Sequence, residues 1–227
     1  MTTNSPTMAE RAAAVAANSA GATPADVGAA FVGERAALAA RGVPERVAGP
    51  GTAMPDGELL DIHGASTSLA RLRNGRPAVV VFYRGAWCPY CNVALRTYQA
   101  DLVPALGDRD VELIAVSPQK PDGSLTSVQS NELTYSVASD PGNHVATALG
   151  ILTEPSPDAV AAQGKVGLDL AKVNADGGRT LPMPTVVFVD AAGVIRWIDV
   201  HPDYGTRTEV SDILAAVDAN NAEEARS

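Results

Sequence analysis

The chain has 227 residues, 46% hydrophobic and 19% charged, enough for one well-buried domain with appendages and too few for two full-sized ones. Its formal net charge of -9, with no basic run, excludes the clustered Lys and Arg that nucleic acid or an anionic membrane surface would require. The only cysteines are Cys88 and Cys91, which excludes a secreted-type disulfide framework and leaves a redox pair or half of a metal site, in a protein expected in the cytoplasm.

In chain order, "MAERAAAVAANSAGA" does not qualify as a signal peptide, because no positive charge precedes it and Glu10 and Arg11 interrupt its apolar run. No window is long and apolar enough to suggest a membrane span. Thr23-Pro24-Ala25-Asp26 predicts a helix start with Thr23 as cap, Pro24 in the first turn and Asp26 close behind. Val27, Phe31 and Leu38 then share one face until Gly42 and Pro44 end the helix. Such a helix is expected to dock on the core or on a second subunit. Residues 1–47 are therefore read as an N-terminal helical extension and residues 48–227 as the main domain, entered through the linker "AGPGTAMPDG".

"GELLDI" is a strand candidate, and "PAVVVFY" is a continuous β-branched run of the kind buried on both faces of a sheet. A helix beginning at the cysteine pair repeats Cys91, Leu95, Tyr98 and Leu102 on one side. "VELIAVSP" predicts a second buried strand, "SVQSNEL" a helix, "YSVAS" a short strand and "NHVATALG" a helix stopped by Gly150. The stretch from Leu152 to Leu181 has a looser pattern, expected as a short helix and loop that decorates the surface or covers the active site. "TVVFVD" and "VIRWIDV" then predict an antiparallel hairpin, and "EVSDILAAVDA" a closing helix. This order predicts an α/β fold, a thioredoxin-like sandwich with a central mixed sheet flanked by helices.

A thiolate is the reactive form of cysteine, and the free N–H groups and dipole of a helix start favour it. Cys88 occupies that position, with Arg84 upstream to lower its pKa further or to steer an anionic substrate. Its pKa is accordingly expected below the reference of about 8.5, and that of Cys91, buried in the first turn, normal or raised. Trp87 is read as a hydrophobe capping the sheet edge or as a partner contact. Pro184, preceding a strand, sits where a thioredoxin-like fold carries a cis-proline against the cysteine pair, so Met183-Pro184 is expected to be cis, with an open backbone edge for a disulfide substrate. A structural zinc would need further ligands, and only the scattered His63, His144 and His201 are on offer.

The stretches "FYRGAWCPYCN", "IAVSPQKPDGSL", "SDPGNHVATALG", "PMPTVVFVDAAGVIR" and "HPDY", between about Gly51 and Ala219, resemble the peroxiredoxin-like members of the alkyl hydroperoxide reductase / thiol-specific antioxidant family. "CPYC" by itself is also similar to the glutaredoxin motif. Sliding the family motif PxxxTxxC along the chain puts its cysteine on Cys91, but its threonine on Cys88 and its proline on Arg84; the family's peroxide-binding arginine falls near Pro184. The resemblance thus names Cys91 as the peroxide-attacking sulfur, whereas helix geometry names Cys88 as the exposed nucleophile with Cys91 resolving. The favoured expectation is attack by Cys88.

The resemblance implies a thiol-dependent antioxidant oxidoreductase that reduces hydroperoxides or disulfides through a reversible Cys88–Cys91 disulfide. Thioredoxin, glutaredoxin or a low-molecular-weight thiol would recycle it, with no bound cofactor or metal, and a homodimer is one expected assembly. One alternative is a thiol-disulfide oxidoreductase without significant peroxidase activity. Another is a metal-binding or copper-delivery protein on the same fold.

Overall fold

The computed structural model describes residues 6–224 and residue 226. Helix α1 (Met8–Ala22) opens with a reciprocal cap: the Thr7 hydroxyl accepts the Glu10 N–H at 3.1 Å, and the Glu10 carboxylate accepts the Thr7 N–H at 2.8 Å. In α2 (Ala25–Arg41) the cap position belongs to Pro24, not to the expected Thr23, and no side chain caps it. Thr23 closes α1 instead, its N–H bonded to the Ser19 carbonyl, because the two helices meet with almost no linker. Of the predicted inward face, Val27 and Leu38 are buried and Phe31 is half-buried, and Gly42 ends α2 at a φ of 69°.

Strands β1 (Leu59–Leu60) and β2 (Ser66–Thr67) pair antiparallel before α3 (Leu69–Arg73). The wholly buried β3 (Ala78–Phe82) leads through a loop to α4 (Pro89–Thr97), a π-helical turn at Tyr98–Leu102 and α5 (Val103–Gly107). Next come β4 (Glu112–Ser117), α6 (Pro121–Asn131), β5 (Ser136–Ser139) and α7 (His144–Leu149). The loosely patterned segment holds β6 (Leu152–Thr153), α8 (Pro157–Lys165), α9 (Leu170–Val173) and β7 (Leu181–Pro182). The hairpin β8 (Thr185–Val189) and β9 (Ile195–Val200) and the helix α10 (Val210–Glu224) finish the chain.

Seven strands form one mixed sheet in the order β2-β1-β5-β4-β3-β8-β9, while β6 and β7 pair separately. The central β3 runs parallel to β4 and antiparallel to β8. Because side chains alternate along a strand, Val80 and Phe82 join the core on one face with Ile114 and Val116, and Val79 and Val81 join the other with Val186 and Phe188. This is the thioredoxin-like α/β sandwich expected from the order of elements. No described helix is long and apolar enough to cross a membrane.

Both N-terminal helices are built into this body. Met8 is 2% exposed within the second core face, and the Glu209 carboxylate accepts the Met8 and Ala9 N–H groups at 2.8 and 2.9 Å. On α2, Arg35 makes a two-pronged ion pair with Asp203 at 2.6 and 3.0 Å and donates to the Tyr90 hydroxyl at 3.2 Å. Glu34 accepts the Ser156 N–H at 3.1 Å, ahead of α8. Together α2 and α8 are tied to the loops that surround the cysteine pair.

Candidate active site

Cys88 is the N-cap of α4, followed by Pro89, whose missing N–H costs nothing at that position. The preceding loop is held by short bonds: Gln119 Oε1 accepts the Ala86 N–H at 2.9 Å, Asn92 Nδ2 donates to the Ala86 carbonyl at 2.8 Å, and Cys88 N–H donates to the Gly85 carbonyl at 3.1 Å. Gly85 has a φ of 147°, and a Cβ there would fall 2.5 Å from Trp87 Nε1. The two cysteines approach to 3.1 Å, and both are free thiols.

Cys88 is 1% exposed and Cys91 0% exposed, so the expected exposed nucleophile is in fact covered. The covering segment is the loop between β9 and α10, which sequence reasoning did not credit with a functional residue. Its Arg207 donates from Nη2 to Cys91 Sγ at 3.0 Å and stands 3.9 Å from Cys88 Sγ. The same guanidinium donates from Nη1 to the carbonyls of Tyr204 and Thr206, each at 2.5 Å, which fixes its aim from within the loop. Arg84 is also buried, and its guanidinium lies 3.8 Å from the Tyr204 ring centroid and 5.0 Å from that of Trp87. Thus Arg84 and Trp87 do come together beside the cysteine pair, as a cation stacked on rings.

The ionisation order is the reverse of the one expected from helix position. Hydrogen bonding to Cys91, then burial and the negative charge developing on Cys91, push the Cys88 thiol well above its ordinary value. For Cys91, burial opposes ionisation, but the hydrogen bond from Cys88, the charge of Arg207, the Arg84 backbone N–H and the charge of Arg84 hold it well below. Two adjacent buried sulfurs cannot both carry charge, and the pair settles its one thiolate nearer the closer cation.

The Met183-Pro184 bond is trans; no described peptide bond is cis. The chain passes straight from β7 through Met183 and Pro184 into β8. The Met183 N–H donates to the Ile151 carbonyl, and the Pro184 carbonyl accepts the His201 N–H, both at 2.8 Å, so an extended trans path already satisfies the backbone. The backbone edge expected to receive a disulfide is therefore occupied by β9's continuation. Met183 packs into the core with Leu149 and Ile151 rather than at the thiols. Pro184 does reach the site: with Cys91, Tyr98, His201, Arg207 and Thr208 it lines a cavity of about 10 Å³, room for no more than about one water molecule. Among the described residues, no three His, Cys, Asp or Glu side chains gather as a metal ion would require.

A sequence profile of the AhpC/TSA family matches residues 50–198. A "Putative peroxiredoxin" of Mycobacterium tuberculosis is 35% identical over 121 residues, which covers 52% of this chain and 73% of that protein. A peroxiredoxin-like protein from Aquifex aeolicus superposes with a TM-score of 0.60 at 13% identity, covering 78% of this chain and 90% of that one. Reduced Prx3 of Vibrio vulnificus, solved in complex with hydrogen peroxide, gives 0.59 at 18% identity, over 75% and 99% of the two chains. Likeness at these identities speaks for the shared fold alone.

Proposed function

The chain belongs to the AhpC/TSA family as a peroxiredoxin-like member, and we propose that it is a thiol peroxidase in which Cys91 is the attacking thiolate and Cys88 the resolving thiol. The observation that carries this reading is the Arg207 guanidinium 3.0 Å from Cys91 Sγ, a cation placed to hold that sulfur as a thiolate. It replaces the favoured expectation of attack by Cys88, whose proton is held by its neighbour.

In the first step the Cys91 thiolate attacks the terminal peroxide oxygen; the S–O bond forms as the O–O bond breaks, and the departing alkoxide or hydroxide takes a proton to leave as alcohol or water. Arg207 can donate to the reacting oxygens, supplying from another loop the cation that this chain lacks near Pro184, where the family carries its arginine. In the second step Cys88 sulfur attacks the Cys91 sulfenic acid, releasing water and leaving a Cys88–Cys91 disulfide. An external dithiol or two small thiols then return both sulfurs to the reduced state. Thioredoxin, glutaredoxin or a small cytoplasmic thiol would serve, and a reductant of protein size needs the cover over the pair to open.

Disulfide reduction as the main activity has less support. With Pro184 trans and both thiols covered, the backbone edge and exposed sulfur that this chemistry uses are missing. The deciding measurement is the first-turnover rate of the fully reduced protein with hydrogen peroxide, set against its rate with a model disulfide. Cys88→Ser should keep the peroxide step and accumulate sulfenic acid on Cys91, and Cys91→Ser should lose it. Peroxide reactivity that survives in Cys91→Ser, or a faster reaction with the disulfide, would overturn the proposal.

A further inference from the structure

Arg207 owes its position to the loop that carries it, and both of its sequence neighbours are held by one side chain. His201 Nδ1 lies 2.7 Å from Thr206 Oγ1, and His201 Nε2 lies 3.2 Å from Thr208 Oγ1. The ring is itself anchored to β9, with Nε2 2.9 Å from Asp199 Oδ2, which also accepts the Thr208 hydroxyl at 2.8 Å. The Thr206 hydroxyl also lies 2.9 Å from the Asp203 carbonyl, and it shares one hydrogen bond with Nδ1. A carboxylate can only accept, so Nε2 carries a hydrogen and donates to Asp199.

We propose that His201 is the positioning residue of this site: anchored by Asp199, it clamps Thr206 and Thr208 and so aims the guanidinium between them at Cys91. The inference rests on the reading of Cys91 as the working thiolate. Other elements hold the loop at its margins. Arg35 of α2 pairs with Asp203, and the Tyr98 hydroxyl of the π-helical turn donates to the Thr208 carbonyl at 2.9 Å. Neither meets the side chains that flank Arg207 on both sides, and among the described residues only His201 does so while also lining the cavity that Cys91 lines.

The test is the ultraviolet thiolate titration of the full-length reduced protein, with the first-turnover peroxide rate measured alongside. His201→Ala should move the Cys91 ionisation toward higher pH and leave about tenfold less thiolate below its midpoint. Arg207→Ala should do the same, and the double variant should be no worse than Arg207→Ala, since His201 acts through the arginine. His201→Gln, whose amide can still donate to Asp199, should recover part of the loss. Should His201→Ala fail to fold, Thr206→Ala at an exposed position removes the Nδ1 contact, together with the hydroxyl's bond to the Asp203 carbonyl, and should shift the titration in the same direction. An unchanged titration in the folded His201 or Thr206 variants, or losses that multiply in the double variant, would overturn the inference alone. If Arg207→Ala also leaves Cys91 unmoved, the thiolate reading falls with it.

Discussion

One helical turn separates Cys88 from Cys91, and the difference in their chemistry comes from less than one ångström of charge placement. Arg207 Nη2 is 3.0 Å from one sulfur and 3.9 Å from the other, a difference of 0.9 Å. At an effective dielectric of about 20, that difference is worth about 1 kcal/mol, roughly a fivefold preference for charge on Cys91. The hydrogen bond from Cys88 adds to it, and the dipole at the helix start, which first favours Cys88, is overruled once both sulfurs are out of water. Reactivity with peroxide should therefore persist well below the ordinary thiol range and disappear as pH falls through the lowered Cys91 value. Cys88→Ser keeps a hydroxyl that can donate to Cys91 and should preserve this profile, whereas Cys88→Ala should shift it to higher pH; identical profiles for the two would mean that the Cys88 hydrogen bond contributes nothing. The motif and its spacing were readable in the sequence because they are local. Arg207 was not, since it comes from 116 positions further along the chain, in an irregular loop where Arg is usually solvated.

At the level of elements, legibility follows how much of each signal is local. The β-branched runs of β3, β4 and β8 announced themselves, because strands buried on both faces need such runs. The π-helical turn did not: Cys91, Leu95, Tyr98 and Leu102 keep a helical spacing and are all buried, and the wider turn shows only in the Val103 N–H bonding back to Tyr98. Pro104 accounts for it, since its ring has no N–H to offer and crowds the carbonyl one turn back. The segment 152–181 was expected either to decorate or to cover, and its α8 packs with α2 beside the site, bound to it through Glu34 and the Lys165–Asp26 pair. Arg35 links α2 to Tyr90, which stands between the two cysteines in the sequence, and to Asp203 in the covering loop that carries Arg207. The Arg35–Asp203 pair is about a quarter exposed, so it contributes no more than about 1 kcal/mol, too little to decide folding but enough to set how often the cover opens. Arg35→Ala should raise the rate of thiol alkylation by a small neutral reagent about fivefold, with a thermal midpoint nearly that of the parent. Equal alkylation rates would show that access to the cysteines does not run under α2.

For the whole molecule, the acid limb of stability is set by carboxylates clustered around β9. Asp190 is 2% exposed; burial opposes its ionisation, but the Val194 N–H at 2.9 Å and Arg196 Nε at 2.6 Å hold its pKa below 3.8. The hydrogen bond with His201 lowers Asp199, and Asp203 is lowered despite burial by Arg35 and the Gly205 N–H. Each of these three binds its proton less readily folded than unfolded. Their contribution is complete above the unfolded value of 3.8 and is lost as pH falls through the lower folded values. Asp140 has the opposite sign: burial raises it above 3.8 although it accepts the Val145 and Ala146 N–H groups, so it costs stability as pH rises from 3.8 through its folded value. Three groups against one predict stability that drops steeply below about pH 4. Urea midpoints on either side of that pH measure it. Asp190→Asn should be less stable than the parent near neutrality, because Arg196 and the turn lose their carboxylate, and the gap should close in acid, where the parent's Asp190 is protonated too. A gap that widens as pH falls would mean that Asp190 titrates above its unfolded value, with desolvation outweighing its partners.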